Sequence, residues 1–197
     1  MLKLYDYRIS GNCYKIRLML SLLELEYKNV PTKLEEGEHK SDRFLKLNQF
    51  GQVPVLVDGN AIIRDSQAIL IYLARKYGGE DWLPNDAESL ALVMQWLFTA
   101  SHNIQQGLAN ARAYYLVGRQ VDIEAATQLS HQTLNVVERH LAKRKWLELE
   151  RPTIADIACF PYIAMSKQGK ITLDNYPNIV AWIALMESLP GYVDLPN

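Results

Sequence analysis

The chain has 197 residues, with 21 Lys and Arg against 22 Asp and Glu, a formal charge of −1. That balance excludes the basic excess that marks a nucleic-acid binder. With 49% hydrophobic and 22% charged residues, the composition is that of a folded globular chain of one or two domains, and no apolar run approaches the ~18 residues of a membrane span.

In chain order, residues 2–5 alternate apolar and polar and predict a first strand. A polar turn, Asp6 to Asn12, leads into a helix over Cys13–Leu25, with Ile16, Leu20 and Leu23 on one face and Leu22 beside it. Tyr27–Pro31 reads as a second strand. Val53–Val57 and Ala61–Arg64 flank Asp58-Gly59 and predict a hairpin. Ser66–Tyr77 is helical, ended by Gly78-Gly79. This half reads β-α-β-(α)-β-β-α, a small mixed sheet with helices on its faces.

Beyond residue 85 the period is helical only. Asn85 and Glu88 have capping-box spacing, and Leu90, Val93, Leu97, Ile104, Leu108, Ala111 and Tyr115 follow at helical intervals. Further helices are predicted over 122–144, 153–168 and 176–188. The expected organisation is an α/β domain over 1–77, a linker over 78–86 and an all-α bundle over 87–197.

Several chemistries find no support. Neither G-x-x-x-x-G-K nor G-x-G-x-x-G occurs, and there is no G-x-S-x-G elbow. Histidines 39, 102, 131 and 140 show no H-E-x-x-H and no pairing with cysteine, so no metal site is expected. Two cysteines, Cys13 and Cys159, are too few for a disulfide framework, and the first residues lack the apolar stretch of a signal peptide. A reducing, cytoplasmic setting is expected.

Three pieces could carry chemistry. Ser10-Gly11-Asn12-Cys13 lies between the first strand and the first helix, where unpaired N–H groups and a partial positive charge favour an anion such as a thiolate. Ser10 there either caps the helix or donates its proton to a thiolate. Val53-Pro54 opens a strand; with a cis bond it would turn the Val53 N–H and C=O outward to pair with an extended peptide, and with a trans bond it is an ordinary strand edge. Asp65 or Ser66 caps the next helix, whose free N–H groups suit a carboxylate.

Together these pieces resemble the cytosolic glutathione S-transferase superfamily. The resemblance is carried by Y-D-Y-R-I-S-G-N-C-Y-K-I-R-L at residues 5–18, G-E-H-K-S-D-R-F-L-K-L-N-Q-F-G-Q-V-P-V-L-V-D-G at 37–59, and R-D-S-Q-A-I-L-I-Y-L at 64–73. Arg151-Pro152-Thr153-Ile154-Ala155-Asp156-Ile157-Ala158 adds that family's helix start in the second half. The match spans nearly the whole chain and is similar to serine-type, bacterial or cyanobacterial-like members. It implies a thioredoxin-like N-terminal domain, a helical C-terminal domain, and glutathione as co-substrate, its thiolate attacking small hydrophobic electrophiles in detoxification.

The resemblance also assigns residues. Ser10 would activate the thiol, assisted by Asn12, with Tyr5, Tyr7 and Cys13 as alternatives. Val53 and cis Pro54 would hold the cysteinyl backbone, Asp65 and Ser66 the γ-glutamyl end, and His39, Lys40 and Gln52 the glycyl carboxylate. Ile9, His102, Gln106, Arg112 and Tyr115 would line the electrophile pocket, left open by a chain that stops soon after its last helix. Thr153 and Asp156 are read as a structural cap. Phe50, apolar in a polar turn, would insert into a partner copy of a homodimer. Rival functions are a glutathione-dependent isomerase, dehalogenase or peroxidase, and a non-catalytic interaction module. Gly11, where the zeta-class isomerase pattern has a second serine, counts against the isomerase. The presence of Ser10, Val53-Pro54 and Asp65-Ser66 counts against the module.

Overall fold

The computed structural model describes residues 1–196. The chain forms two compact units, one of Met1–Gly78 joined by the segment beginning at Pro190, the other Gly79–Leu189.

The first unit is a four-stranded mixed sheet with helices. Its strands are β1 (Leu2–Asp6), β2 (Tyr27–Pro31), β3 (Val55–Asp58) and β4 (Ala61–Arg64), in the order β2-β1-β3-β4. β1 pairs parallel with β2, Leu4 opposite Asn29, and antiparallel with β3, Leu4 opposite Leu56. β3 and β4 form the expected hairpin, Leu56 opposite Ile63. Leu2, Leu4 and Asp6 point to the buried side of β1. Asp6 is inward-facing because Arg17 reaches back to it at 2.5 Å and also donates to the Arg8 carbonyl at 2.9 Å.

The parallel crossover is α1 (Gly11–Leu22). It starts two residues earlier than its periodicity suggested, because Ser10 rather than a later residue caps it, and it ends three residues earlier. It is covered nearly all round: Cys13, Tyr14, Lys15, Ile16, Leu18, Met19 and Leu20 are buried. Part of that cover comes from far along the chain, where the Val193 carbonyl accepts from the Tyr14 hydroxyl at 2.6 Å.

A short α2 (Asp42–Leu45) precedes β3, and α3 (Ser66–Leu73) follows β4. β3 begins at Val55, not Val53, since Pro54 has no N–H to give the ladder. α3 stops at Leu73; the turn over Ala74–Gly78 widens to π-helical spacing. Asp58 Oδ2 gathers Tyr72 Oη at 2.8 Å, Lys76 Nζ at 2.5 Å and Tyr77 Oη at 2.5 Å, tying the hairpin to the end of this helix and pulling its pKa down to about 2.

The second unit contains α4 (Gly79–Trp82), α5 (Ala87–Thr99), α6 (Asn110–Val117), α7 (Ile123–Leu141), α8 (Ile154–Ala164) and α9 (Pro177–Glu187). α5 is capped by Asp86, whose carboxylate accepts from the Ser89 N–H at 2.8 Å. The expected cap, Asn85, instead donates to Glu80. Between α5 and α6 the backbone continues as a π-helical stretch, Ala100–Ala109. Gly107 on this stretch lies directly against α7; a Cβ there would stand 2.9 Å from Ser130 Oγ.

α8 begins with the full capping box, Thr153 and Asp156 each bonding the other's end of the turn. Asp156 is a buried hub. Oδ1 accepts from Leu147 N at 2.9 Å and Trp182 Nε1 at 3.0 Å, while Oδ2 accepts from Thr153 N at 2.9 Å and Oγ1 at 3.3 Å. It therefore joins the 147 loop, α8 and α9. No helix among the described residues is long and apolar enough to cross a membrane.

Candidate glutathione site

The first unit collects the polar residues that sequence reading singled out. Ser10 sits in extended conformation at the start of α1, its N–H bonded to the Tyr7 carbonyl at 2.9 Å. Its Oγ accepts from the Cys13 N–H at 3.2 Å. That bond uses a lone pair and leaves the hydroxyl proton for a separate acceptor, a role the neighbouring Cys13 thiol can fill within the fold. Capping and proton donation are thus compatible in one side chain. Ser10 is half-exposed, so its proton is available to an anion at the helix N-terminus.

Asn12 stands in the first turn of the same helix. Its Oδ1 accepts from Lys15 Nζ at 2.9 Å and from Ser66 Oγ at 3.4 Å. Ser66, the buried first residue of α3, is brought here across 54 positions of sequence. The N-termini of α1 and α3 therefore meet at Asn12.

Asp65 caps α3. Its Oδ1 accepts from Gln67 N at 2.8 Å and Ala68 N at 3.2 Å. Its backbone lies at φ 73, ψ 129, a conformation unfavourable for a side-chain-bearing residue. The capping bonds hold it there, and Oδ2 takes no bond among the described residues. The exposed oxygen of this carboxylate lies beside helical N–H groups and the Ser66 hydroxyl, a pairing suited to a zwitterionic amino-acid end.

The Val53–Pro54 peptide bond is cis. Val53 is half-exposed, and among the described residues neither its N–H nor its C=O has a hydrogen-bonding partner. An extended peptide could pair with both groups. The loop before it is held by Asn48, which donates to the Gln52 carbonyl at 2.7 Å and accepts from the Phe50 N–H at 3.1 Å. Gly51 has φ +59, and a Cβ on it would stand 2.8 Å from both the His39 carbonyl and Lys40 Nζ. Only glycine meets both demands. Its lack of a side chain brings His39 and Lys40 against the loop that carries Gln52. Lys40 Nζ donates to the Phe50 carbonyl at 3.3 Å and remains exposed.

The alternatives to Ser10 have other commitments. Cys13 is fully buried beside Asp6, and burial first, then that charge, pushes its thiol up to about 12. It is a packing residue and not a nucleophile at neutral pH. Tyr7 donates its phenol proton to Glu35, and that hydrogen bond raises its pKa. Tyr5 packs edge-on against Phe44 at 6.0 Å between ring centroids.

The expected electrophile-pocket residues divide between the units. Ile9 is in the turn before Ser10. His102 and Gln106 are exposed on the π-helical stretch, four positions apart. Tyr115 is exposed on α6, with Lys170 Nζ 4.2 Å from its ring centre. Arg112 is buried, its Nε donating to Gln168 Oε1 at 2.6 Å, which makes it part of the helical core rather than a lining residue.

Lys15, Asn48 and Glu35 escaped sequence reading. Asn48 carried a local signal, an Asn three residues before a Gly in a turn. Lys15 and Glu35 carried none, because their partners are set by tertiary placement. Among the described residues no group of three or more His, Cys, Asp or Glu side chains is placed to hold a metal.

Comparison with known proteins agrees with this geometry. Residues 1–75 match the glutathione S-transferase N-terminal domain family, and residues 90–190 match the C-terminal domain family. The chain is 31% identical to glutathione S-transferase 3 of Zea mays over 97% of its own length and 91% of the maize protein. It is 37% identical to a zeta-class glutathione S-transferase of Euphorbia esula, over 72% of this chain and 60% of that one. A crystal structure of a glutathione S-transferase from Pseudomonas fluorescens superposes with a TM-score of 0.93 at 31% identity, covering 100% of this chain and 99% of that one. Both units thus match along nearly the whole chain, and the chain belongs to the glutathione S-transferase family of enzymes.

Proposed function

We propose that the chain binds glutathione on its first unit and activates the thiol as a thiolate for attack on small electrophilic carbons. The observation that carries this reading is the Ser10 hydroxyl at the start of α1, held by the Cys13 N–H at 3.2 Å through a lone pair and so still able to donate its own proton. In this reading Ser10 Oγ–H donates to the glutathione sulfur at the positive end of α1. A free cysteine thiol has a pKa of ~8.5 and is only ~3% ionised at pH 7. Lowering it by about two would raise the thiolate roughly 25-fold, worth ~2 kcal/mol. One charge-assisted hydrogen bond and a helix N-terminus supply an effect of that size.

The rest of the tripeptide has matching partners. The Val53 N–H and C=O pair with the cysteinyl backbone. The Ser66 hydroxyl turns from Asn12 Oδ1, 3.4 Å away, to donate to the γ-glutamyl carboxylate, and Asp65 Oδ2 takes its ammonium. Lys40 supplies a point charge for the glycyl carboxylate, with His39 and Gln52 beside it. Ile9, His102, Gln106 and Tyr115 are the proposed contacts of the electrophile, for which isothiocyanates, aryl halides and organic hydroperoxides are the test compounds. The identity to the zeta-class relative favours one second reading, a glutathione-dependent isomerase on the same scaffold, against which stands Gly11 after Ser10.

Phe50 is 60% exposed in a polar turn, with the Arg64 guanidinium 4.6 Å from its ring centre. We assign it to a homodimer contact, which sedimentation of wild type and Phe50→Ala tests. The proposed setting is the cytoplasm and the proposed role detoxification.

Calorimetric titration with glutathione and conjugation rates with an aryl halide test the function. Wild type binds and conjugates; Asp65→Ala and Ser66→Ala lose affinity, while Ser10→Ala keeps affinity and loses rate. Absence of glutathione binding by the wild type overturns the reading and leaves the interaction module.

A further inference from the structure

Lys15 is the one lysine among the described residues that is completely buried. Burying an amine is costly unless it is hydrogen-bonded, and lysines are almost never fully enclosed. A methionine of similar length would fill the same space on α1 without a polar group. Among the bonds that offset this cost is Nζ to Asn12 Oδ1 at 2.9 Å.

That contact acts on the place where two helix N-termini converge. Asn12 Oδ1 receives two donors, Lys15 from one turn along α1 and Ser66 from the start of α3. Two donors on one oxygen settle which end of the amide is which, so the Nδ2 edge faces away from both. Asn12 lies two residues after Ser10. Its orientation therefore links the hydroxyl assigned to the thiol with the hydroxyl assigned to the γ-glutamyl carboxylate.

We infer that Lys15 is a positioning residue: from inside the core it fixes the Asn12 amide, and through it the spacing between Ser10 and Ser66. The inference rests on the glutathione reading of that site for its effect on turnover, but not for its effect on Asn12. Lys15 itself is enclosed, with no exposed surface to offer a ligand. Its removal takes away the shorter of these two bonds to Oδ1 and leaves the Ser66 bond at 3.4 Å. Hydrogen bonds made by ionisable donors support an effect of about tenfold on the affinity of a ligand that spans both helix ends.

The test compares wild type with Lys15→Met, Lys15→Arg, Asn12→Ala and the double variant Lys15→Met/Asn12→Ala. The first readout needs no glutathione: the side-chain amide proton pair of Asn12 in a nitrogen-correlated NMR spectrum, identified by its loss in Asn12→Ala. The second is KM for glutathione and kcat with an aryl chloride. Lys15→Met is expected to move the Asn12 amide pair and raise KM about tenfold, and Lys15→Arg to restore most of both. In the Asn12→Ala background, Lys15→Met is expected to add little. An unmoved amide pair in folded Lys15→Met overturns the inference, as does a penalty that persists in full without Asn12. Where Lys15→Met does not fold, Lys15→Leu supplies the same comparison without a donor, and an unmoved amide there overturns the inference equally. If wild type shows no affinity for glutathione, the reading of the site fails, while the amide signal still decides whether Lys15 orients Asn12.

Discussion

Replacing Asp156 by alanine is expected to destabilise the fold without touching the chemistry. The carboxylate is fully buried and receives three N–H donors, from Leu147, Thr153 and Trp182, at 2.9–3.0 Å. Each donor left buried and unpaired costs about 2 kcal/mol, so the gross loss is ~6 kcal/mol. Against this stands the burial of the carboxylate itself. Desolvation raises its pKa from 3.8 to about 6 despite the four donors, and at 1.36 kcal/mol per tenfold the ionised form costs ~3 kcal/mol at neutral pH. Alanine relieves that cost, leaving a net loss of ~3 kcal/mol at pH 7.5, a large share of the ~5–15 kcal/mol that holds a domain together. The sign of the pH dependence follows. A raised folded-state pKa contributes stability that is fully present below 3.8 and is lost as pH rises through about 6. The difference between wild type and Asp156→Ala should therefore grow to ~6 kcal/mol near pH 4. Urea unfolding followed by tryptophan fluorescence at pH 7.5 and pH 4 reads both values. A soluble, normally stable and inactive Asp156→Ala would refute the reasoning, as would a difference that shrinks on acidification.

Other outcomes are specific to single residues. Gly51→Ala places a Cβ 2.8 Å from the His39 carbonyl at a positive φ; it should lose ~1–2 kcal/mol in thermal unfolding and weaken glutathione in calorimetry, and an unchanged melting temperature contradicts the tight approach. Cys13 and Cys159 are both buried, and the Cys13 thiol is held near 12, so an aromatic disulfide reagent at pH 8 should find no reactive thiol until denaturant is added. One thiol reacting within seconds in the native protein would restore Cys13 as a candidate nucleophile.

Much of the first unit was legible because its signals are local. β2 and β4 were bounded by turn residues and alternation and have the predicted ends. The Asp58-Gly59 turn specified the hairpin. Helix ends were less legible: α1 starts at the residue after its cap, which hydrophobic period does not mark, and α5 takes Asp86 over the neighbouring Asn85. The widening over Ala100–Ala109 had no visible sign in a helical repeat running from Leu90 to Tyr115. It occurs where Gly107 closes on Ser130, a contact between helices.

The site divides the same way. Ser10, Val53-Pro54 and Asp65-Ser66 lie at element ends, where sequence spacing and backbone need coincide. Lys15 was unreadable, since a helical lysine is ordinarily solvated and its burial depends on cover from the rest of the unit. Tyr7 has its phenol proton taken by Glu35, 28 residues on, a partner that no local pattern marks. Arg112 had the chemistry of a pocket residue, and its partner Gln168, 56 residues away, takes it into the helical core.

The most direct test of the central claim is the ultraviolet absorbance of the bound glutathione thiolate as a function of pH, in wild type and Ser10→Ala. The account predicts a thiol pKa of ~6.5 in the wild-type complex and a return towards ~8.5 in the variant, with glutathione still bound. A lowered pKa that survives Ser10→Ala would contradict it and move the role to Tyr5 or Tyr7.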